Sequence, residues 1–240
     1  CLLSRGLGDV YKRQELCGAG VAWNVIRVLY ENYDMDKREA EDLLDFVAMA
    51  TVCDVMSLTG ENRILVKEGL KRIRHTKNIG LQALMQACNV QQENISAYHF
   101  GYVLGPCVNA TGRLDTARHA LRLFETGQET EAEEIARDLV DLNQERKELT
   151  LQGVEMAKKL CEEGGYENDP ILVLFLPDVH ESIAGLIAGR IRETYQRPVF
   201  VLTRGEEGVK GSGRSIEAYS MFDKMTEVAE LFTKYGGHPM

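Results

Sequence analysis

No apolar run in the 240 residues approaches the length of a membrane-spanning helix, so an anchor of that kind is not expected. The six cysteines, at 1, 17, 53, 88, 107 and 161, include no C-x-x-C pair, which leaves a zinc knuckle without support. They form no disulfide framework either. Scattered thiols fit a reducing compartment, and a cytoplasmic location is the expectation. Basic residues are outnumbered, 28 Lys and Arg against 37 Asp and Glu, for a net charge of −9. Bulk attraction to nucleic acid is thereby excluded, and any such binding must use a local basic groove. The Walker frame of x4-Gly-Lys-Ser is absent, as are internal repeats and low-complexity tracts.

What is present suits a globular protein: 44% hydrophobic and 27% charged residues. The length allows one large domain or two small ones. Charge is uneven. Residues 31–45 are acidic and residues 63–77 basic, and both read as solvated helix faces. Residues 1–14 (CLLSRGLGDVYKRQ) fit neither a signal peptide nor the pattern that follows; they read as a non-native segment.

From Glu15 to about Leu58 the periodicity is helical, with Val21, Val25, Val28 and Leu29, then Leu43, Leu44, Val47 and Ala48. Leu16-Cys17-Gly18-Ala19-Gly20 resembles a tight loop opening onto a helix N-terminus. Further helices are expected over 62–73, 80–87, 96–104 and 116–125, with 104–114 a loop punctuated at both ends. The longest helical pattern, 129–163, runs from acidic to more basic and ends at Gly164-Gly165. The pattern then changes. Ile171–Leu176, Pro198–Thr203 and Val209–Ser215 read as strands, the first two buried, and Ser182–Tyr195 as a helix with small residues for close packing on a sheet.

Four places could carry chemistry. Asp54 follows an apolar stretch and reads as a metal ligand or as a helix-ending turn residue. Asn109-Ala110-Thr111-Gly112-Arg113 suits a loop against a sugar-phosphate backbone, or a turn whose Arg pairs with an acid. Asp178-Val179-His180-Glu181-Ser182 follows a strand, where α/β layers place ligands, although helix capping explains it equally well. Last, Lys210-Gly211-Ser212-Gly213-Arg214-Ser215 and Gly236-Gly237-His238 are glycine-padded. Ser212 and Arg214, two apart on a strand, point to one side, and an Arg fork fits a phosphate.

In order along the chain, L-C-G-A-G-V-A (16–22), A-T-V-C-D-V-M-S-L (50–58), G-E-N-R (60–63), L-G-P-C-V-N-A-T-G-R-L (104–114), L-N-Q-E-R (142–146), H-E-S-I-A-G-L-I-A-G-R (180–190), K-G-S-G-R-S (210–215) and G-G-H-P-M (236–240) resemble the bacterial RecJ family. These are single-strand-specific 5′→3′ DNA exonucleases of the DHH phosphoesterase superfamily. The resemblance implies an α/β fold: the helical C-terminal part of a DHH catalytic domain (15–125), a connecting helix (126–163) and a truncated α/β DHH-associated domain (164–240). It implies Asp54 as a ligand for Mn2+ or Mg2+, and Asn109, Gly112 and Arg113 facing the scissile phosphate and strand. It places His180, Ser212, Arg214, Ser215, Gly236, Gly237 and His238 on the nucleic-acid side, with Ser212 and Arg214 holding a 5′-terminal phosphate.

Two departures stand out. The family's G-P-R-I-N reads Gly105-Pro106-Cys107-Val108-Asn109 here. The family's D-x-D and Asp-His-His elements precede the L-C-G-A-G landmark, and an OB-fold region follows G-G-H; all are expected to lie outside the chain. Two-metal hydrolysis needs several carboxylates and imidazoles. The expectation is therefore a fragment inactive alone, from a parent acting in DNA repair and recombination. Its implied partners are single strands bearing a 5′ phosphate, single-strand binding protein and a helicase, and it is expected to be a monomer. The alternatives are a DHH phosphodiesterase of oligonucleotides or cyclic dinucleotides, and a non-catalytic single-strand-binding relative.

Overall fold

The computed structural model describes residues 16–205 and 208–237; the 1–14 segment and His238 lie outside the described residues. The chain divides into two compact units between Asn143 and Gln144.

The first unit is helical: α1 (Gly18–Asn32), α2 (Lys37–Asp42), α3 (Leu44–Cys53), α4 (Gly60–Ile73), α5 (Ile79–Ala87), α6 (Gly105–Leu114), α7 (Ala117–Glu125) and the first half of α8 (Glu129–Gly164). Ile73, Leu81, Leu84, Phe100, Leu104, Leu123 and Leu139 are fully buried in its main core. Asn78 both starts α5 and ties it down. Its side chain accepts from the Leu81 amide at 2.9 Å and donates to the Phe124 carbonyl at 2.9 Å, satisfying an otherwise orphaned helix donor.

Residues 104–114 are not a loop. A turn at Ala97–His99, a π-helical segment at Phe100–Leu104 and α6 follow one another without a break. Pro106 lies in the first turn of α6, at its junction with the π-helical segment, where its fixed φ is compatible with a helix and the run is not broken. Cys107, Ala110 and Thr111 are buried at helical spacing, which turns Asn109 and Gly112 outward.

In α1 the buried residues are Gly20 and Trp23, and the indole N–H donates to the Ala40 carbonyl at 2.7 Å. Val25, Val28 and Leu29, the stripe that carries the periodicity, are 56%, 50% and 46% exposed. In α8 the last turn carries Glu162 and Glu163 and no base, so basic charge does not complement the helix end as the composition suggested.

The second unit holds β1 (Leu172–Phe175), α9 (Glu181–Tyr195), β2 (Val199–Gly205), β3 (Gly208–Arg214) and α10 (Met221–Glu227). The sheet order is β1-β2-β3, with β1 and β2 parallel and β2 and β3 antiparallel. A parallel pair needs a crossover, and α9 provides it. Leu172, Leu174, Val199 and Val201 pack in one core with Ala157 and Cys161 of α8 and Ile183 and Ile187 of α9. β1 is buried on that face alone: Val173 and Phe175 on the other are 56% and 44% exposed. The apolar run reads as a fully buried strand, but the helices cover one side of it.

Candidate functional site

Asp54 caps the C-terminus of α3, its amide donating to the Ala50 carbonyl at 2.9 Å. Val55 follows at φ 55° and is 88% exposed. A β-branched residue in the left-handed region is an outlier that a structure must hold in place. The end of α3 abuts the start of α6. A Cβ at Gly105 would lie 2.3 Å from Cys53 Sγ and 2.5 Å from the Phe100 carbonyl oxygen, so only glycine permits this approach. Asp54 is thereby carried on a helix end that packs at the head of the helix bearing Asn109 and Arg113.

On α6, Asn109 and Arg113 are four residues apart and so lie on one face. Asn109 is exposed and Arg113 half-buried; burial draws the Arg113 guanidinium below its ordinary value. A Cβ at Gly112 would meet nothing within 4 Å, so this surface is open. Cys107, at the position where the family pattern has Arg, faces the core. Asn143 Nδ2 donates to its sulfur at 3.4 Å, the thiol lies 3.3 Å from the Val103 carbonyl, and Cys88 Sγ is 3.8 Å away.

The metal ligands do not assemble here. Among the described residues no group of three or more His, Cys, Asp or Glu could hold a metal ion, and Asp54 alone does not fit a two-metal centre. One Asp-x-Asp triplet does occur, Asp34-Met35-Asp36, contrary to the expectation that the chain lacks it. It follows the L-C-G-A-G landmark and has a capping role. Asp36 accepts from the Arg38 amide at 3.0 Å at the start of α2, and that bond holds its carboxyl below the usual range.

In the second unit, Lys210, Ser212 and Arg214 pair in register with Thr203, Val201 and Val199, so all three share the face turned toward α9. Lys210 Nζ lies 2.7 Å from Glu181 at the start of α9. Gly185 lies one turn further on. A Cβ there would come 2.7 Å from Ser212 Oγ and 2.8 Å from Arg214 Nη2. Arg214 Nη1 donates to the Gly213 carbonyl at 2.8 Å and lies 3.4 Å from Ser212 Oγ. The structure therefore places a hydroxyl and a guanidinium side by side against a helix backbone. This role for Gly185 is hidden in the sequence, where it reads as a packing glycine; its only signal is the small-residue repeat Ala184-Gly185, Ala188-Gly189.

Gly211 and Gly213 of β3 serve the opposite face. A Cβ at Gly211 would meet Leu202 Cδ2 at 2.5 Å, and one at Gly213 would meet Phe200 Cε1 at 2.8 Å. They let apolar side chains of β2 lie across β3. Neither has positive φ, so the left-handed freedom of glycine is not what the motif uses.

His180 is the N-cap of α9; its Nδ1 accepts from the Ser182 amide at 3.3 Å. Ser215 Oγ accepts from the Met221 amide at 3.1 Å. Gly236 and Gly237 are exposed beside a cluster of Phe222, Phe232 and Tyr235 rings. Among the described residues no helix is long and apolar enough to cross a membrane.

Residues 168–240 match the DHHA1 domain family. The single-stranded-DNA-specific exonucleases RecJ of Haemophilus influenzae and Escherichia coli are each 34% identical to the chain, over 96% of it and 43% of their own length. The chain thus spans less than half of these curated relatives. Among solved structures, RecJ from Thermus thermophilus in complex with Mn2+ superposes with a TM-score of 0.83 at 33% identity, covering 96% of this chain and 33% of that one. Its Mg2+ complex gives the same TM-score.

Proposed function

We propose that this chain, a homologue of the RecJ exonucleases over 96% of its length, is the strand-gripping portion of a 5′→3′ single-stranded-DNA exonuclease. The observation that carries the reading is the Ser212–Arg214 pair on the face of β3 turned to α9, with Gly185 opposite. A guanidinium fork and a hydroxyl side by side suit a terminal phosphate monoester. On α6, the Asn109 amide and the Arg113 guanidinium would orient the sugar-phosphate strand.

Asp54 would give one carboxylate to a divalent ion, Mn2+ or Mg2+ as in the relatives, whose remaining ligands lie outside the chain. The chain by itself is accordingly expected to grip a strand and not to cut it. Its α/β second unit corresponds to a DHH-associated domain and its helical first unit to part of a DHH domain. The five described cysteines are thiols, which supports a cytoplasmic setting. Action as a monomer beside single-strand binding protein and a helicase belongs to the same reading.

The test is binding of fluorescent oligonucleotides with a 5′ phosphate or a 5′ hydroxyl. The chain should prefer the phosphorylated strand, and Arg214→Ala should abolish that preference. Equal affinity for the two strands in the unaltered chain would overturn the assignment of a phosphate grip. The nuclease reading is tested apart from it: a protein extended by the upstream segment should release nucleotides from 5′-phosphorylated single strands with Mn2+, and failure to do so would sink it.

A further inference from the structure

Two tyrosines just ahead of α6 have no part in the site described so far. Tyr98 and Tyr102 are 62% and 76% exposed. Their rings stack on each other, with centroids 5.2 Å apart and planes 27° from parallel. The pair is held at its base. Tyr98 meets the His99 ring edge-on at 5.7 Å, the His99 ring accepts from the Ser96 amide at 3.1 Å in a capping box, and Phe100 is fully buried beneath.

The spacing ties this pair to the strand-facing residues. Tyr98 and Tyr102 are stacked one turn apart, and Asn109 and Arg113, a few residues on along the same helical run, share a face of α6. The segment is helical throughout from Ala97 to Leu114. Tyr102 therefore precedes Asn109 along one continuous helical run, by roughly 10 Å of helix axis. Exposed phenol rings that cover one another only in part leave an aromatic face for a further planar group. A chain of net charge −9 cannot rely on bulk phosphate attraction, and base stacking supplies affinity that does not depend on charge.

We propose that Tyr98 and Tyr102 form a stacking platform for the bases of a single strand whose backbone runs along Asn109 and Arg113. The platform rests on the single-strand reading above. It reads no sequence, because every base offers a π-face.

The test compares binding by the 240-residue chain of an oligothymidylate and of an abasic strand of equal length. The unaltered chain should favour the base-bearing strand by about tenfold. Tyr98→Ala/Tyr102→Ala should lose that preference while its affinity for the abasic strand stays unchanged, and Tyr98→Phe/Tyr102→Phe should keep it, since the rings and not the hydroxyls stack. Photocrosslinking with 5-iodouracil should label Tyr98 or Tyr102. A preference that survives the double alanine variant, or no preference in the unaltered chain, overturns the platform and leaves the single-strand reading standing. Failure of the unaltered chain to bind either strand overturns both.

Discussion

Arg214 lies against the backbone of Gly185: a Cβ on that glycine would come 2.8 Å from the guanidinium Nη2. The neighbouring Ser212 hydroxyl would be closer still, at 2.7 Å. Gly185→Ala should therefore displace the two groups assigned to the terminal phosphate. The obstructing atoms are mostly the far end of a flexible side chain, and alanine is the better helix former by about 1 kcal/mol. The variant should stay folded and lose most of its 5′-phosphate preference, about tenfold for a charge-assisted contact. Anisotropy titrations with phosphorylated and unphosphorylated strands measure this, with a melting curve as control.

Gly69 and Gly80 should respond in the opposite way. A Cβ at Gly80 would lie 2.0 Å from the Leu123 carbonyl oxygen, and one at Gly69 would lie 2.3 Å from Ala48 Cβ and 2.4 Å from the Leu44 carbonyl oxygen. Here backbone must move, so the gain in helix propensity is outweighed. Either glycine changed to alanine should cost about 1–3 kcal/mol, as overpacked cores do. The urea midpoint should fall; a rise would contradict the close helix approach.

Asp45 is buried, and its Oδ1 has no hydrogen-bond partner. Burial raises its carboxyl above the ordinary range, against the opposing pull of Thr76 and Arg72. The protonated form thus suits the folded state better. Its contribution to stability is complete below the unfolded value, about 4, and is lost as pH rises through the raised folded value. Asp45→Asn should melt above the parent at pH 7, and the gap should shrink toward pH 4. A gap that is constant with pH would show that ionisation is not the cause.

Cys53 should be a sluggish nucleophile. Burial, and secondarily the charge of Asp54, pushes its thiol up to about 11. At pH 8 its thiolate should be about a hundredfold scarcer than that of an ordinary thiol. Alkylation followed by peptide mass mapping should show the Cys53 rate still climbing between pH 9 and pH 10.5. A plateau below pH 9.5 would contradict the shift.

Much of the candidate site was legible in the residues, and its mechanics were not. Ser212 and Arg214 share a face because strands alternate, and that needs no partner. That the face belongs to α9, with Gly185 as its floor, depends on a crossover connecting residues far apart in sequence. Gly211 and Gly213 show the same limit: padding a ligand and admitting Phe200 and Leu202 look identical along the chain. Asn109 and Arg113 were identified, but as a loop, because Gly105-Pro106 punctuates loops and also starts helices. Tyr98 and Tyr102 went unmarked, since a helical pair of aromatics ordinarily signals a core.

By itself the order of residues set several elements and their ends: the long helix stopped at Gly164-Gly165, the strand–helix–strand run from Leu172, and the absence of a bilayer-length apolar run. Those properties are local, governed by backbone sterics and by periodicities of 3.6 and 2. Folding chose the faces. Trp23 is covered while Val25, Val28 and Leu29 on the same helix are not, and β1 buries Leu172 and Leu174 but exposes Val173 and Phe175. An apolar side chain is buried only where another element lies opposite, and the position of that element is fixed by contacts distant in sequence.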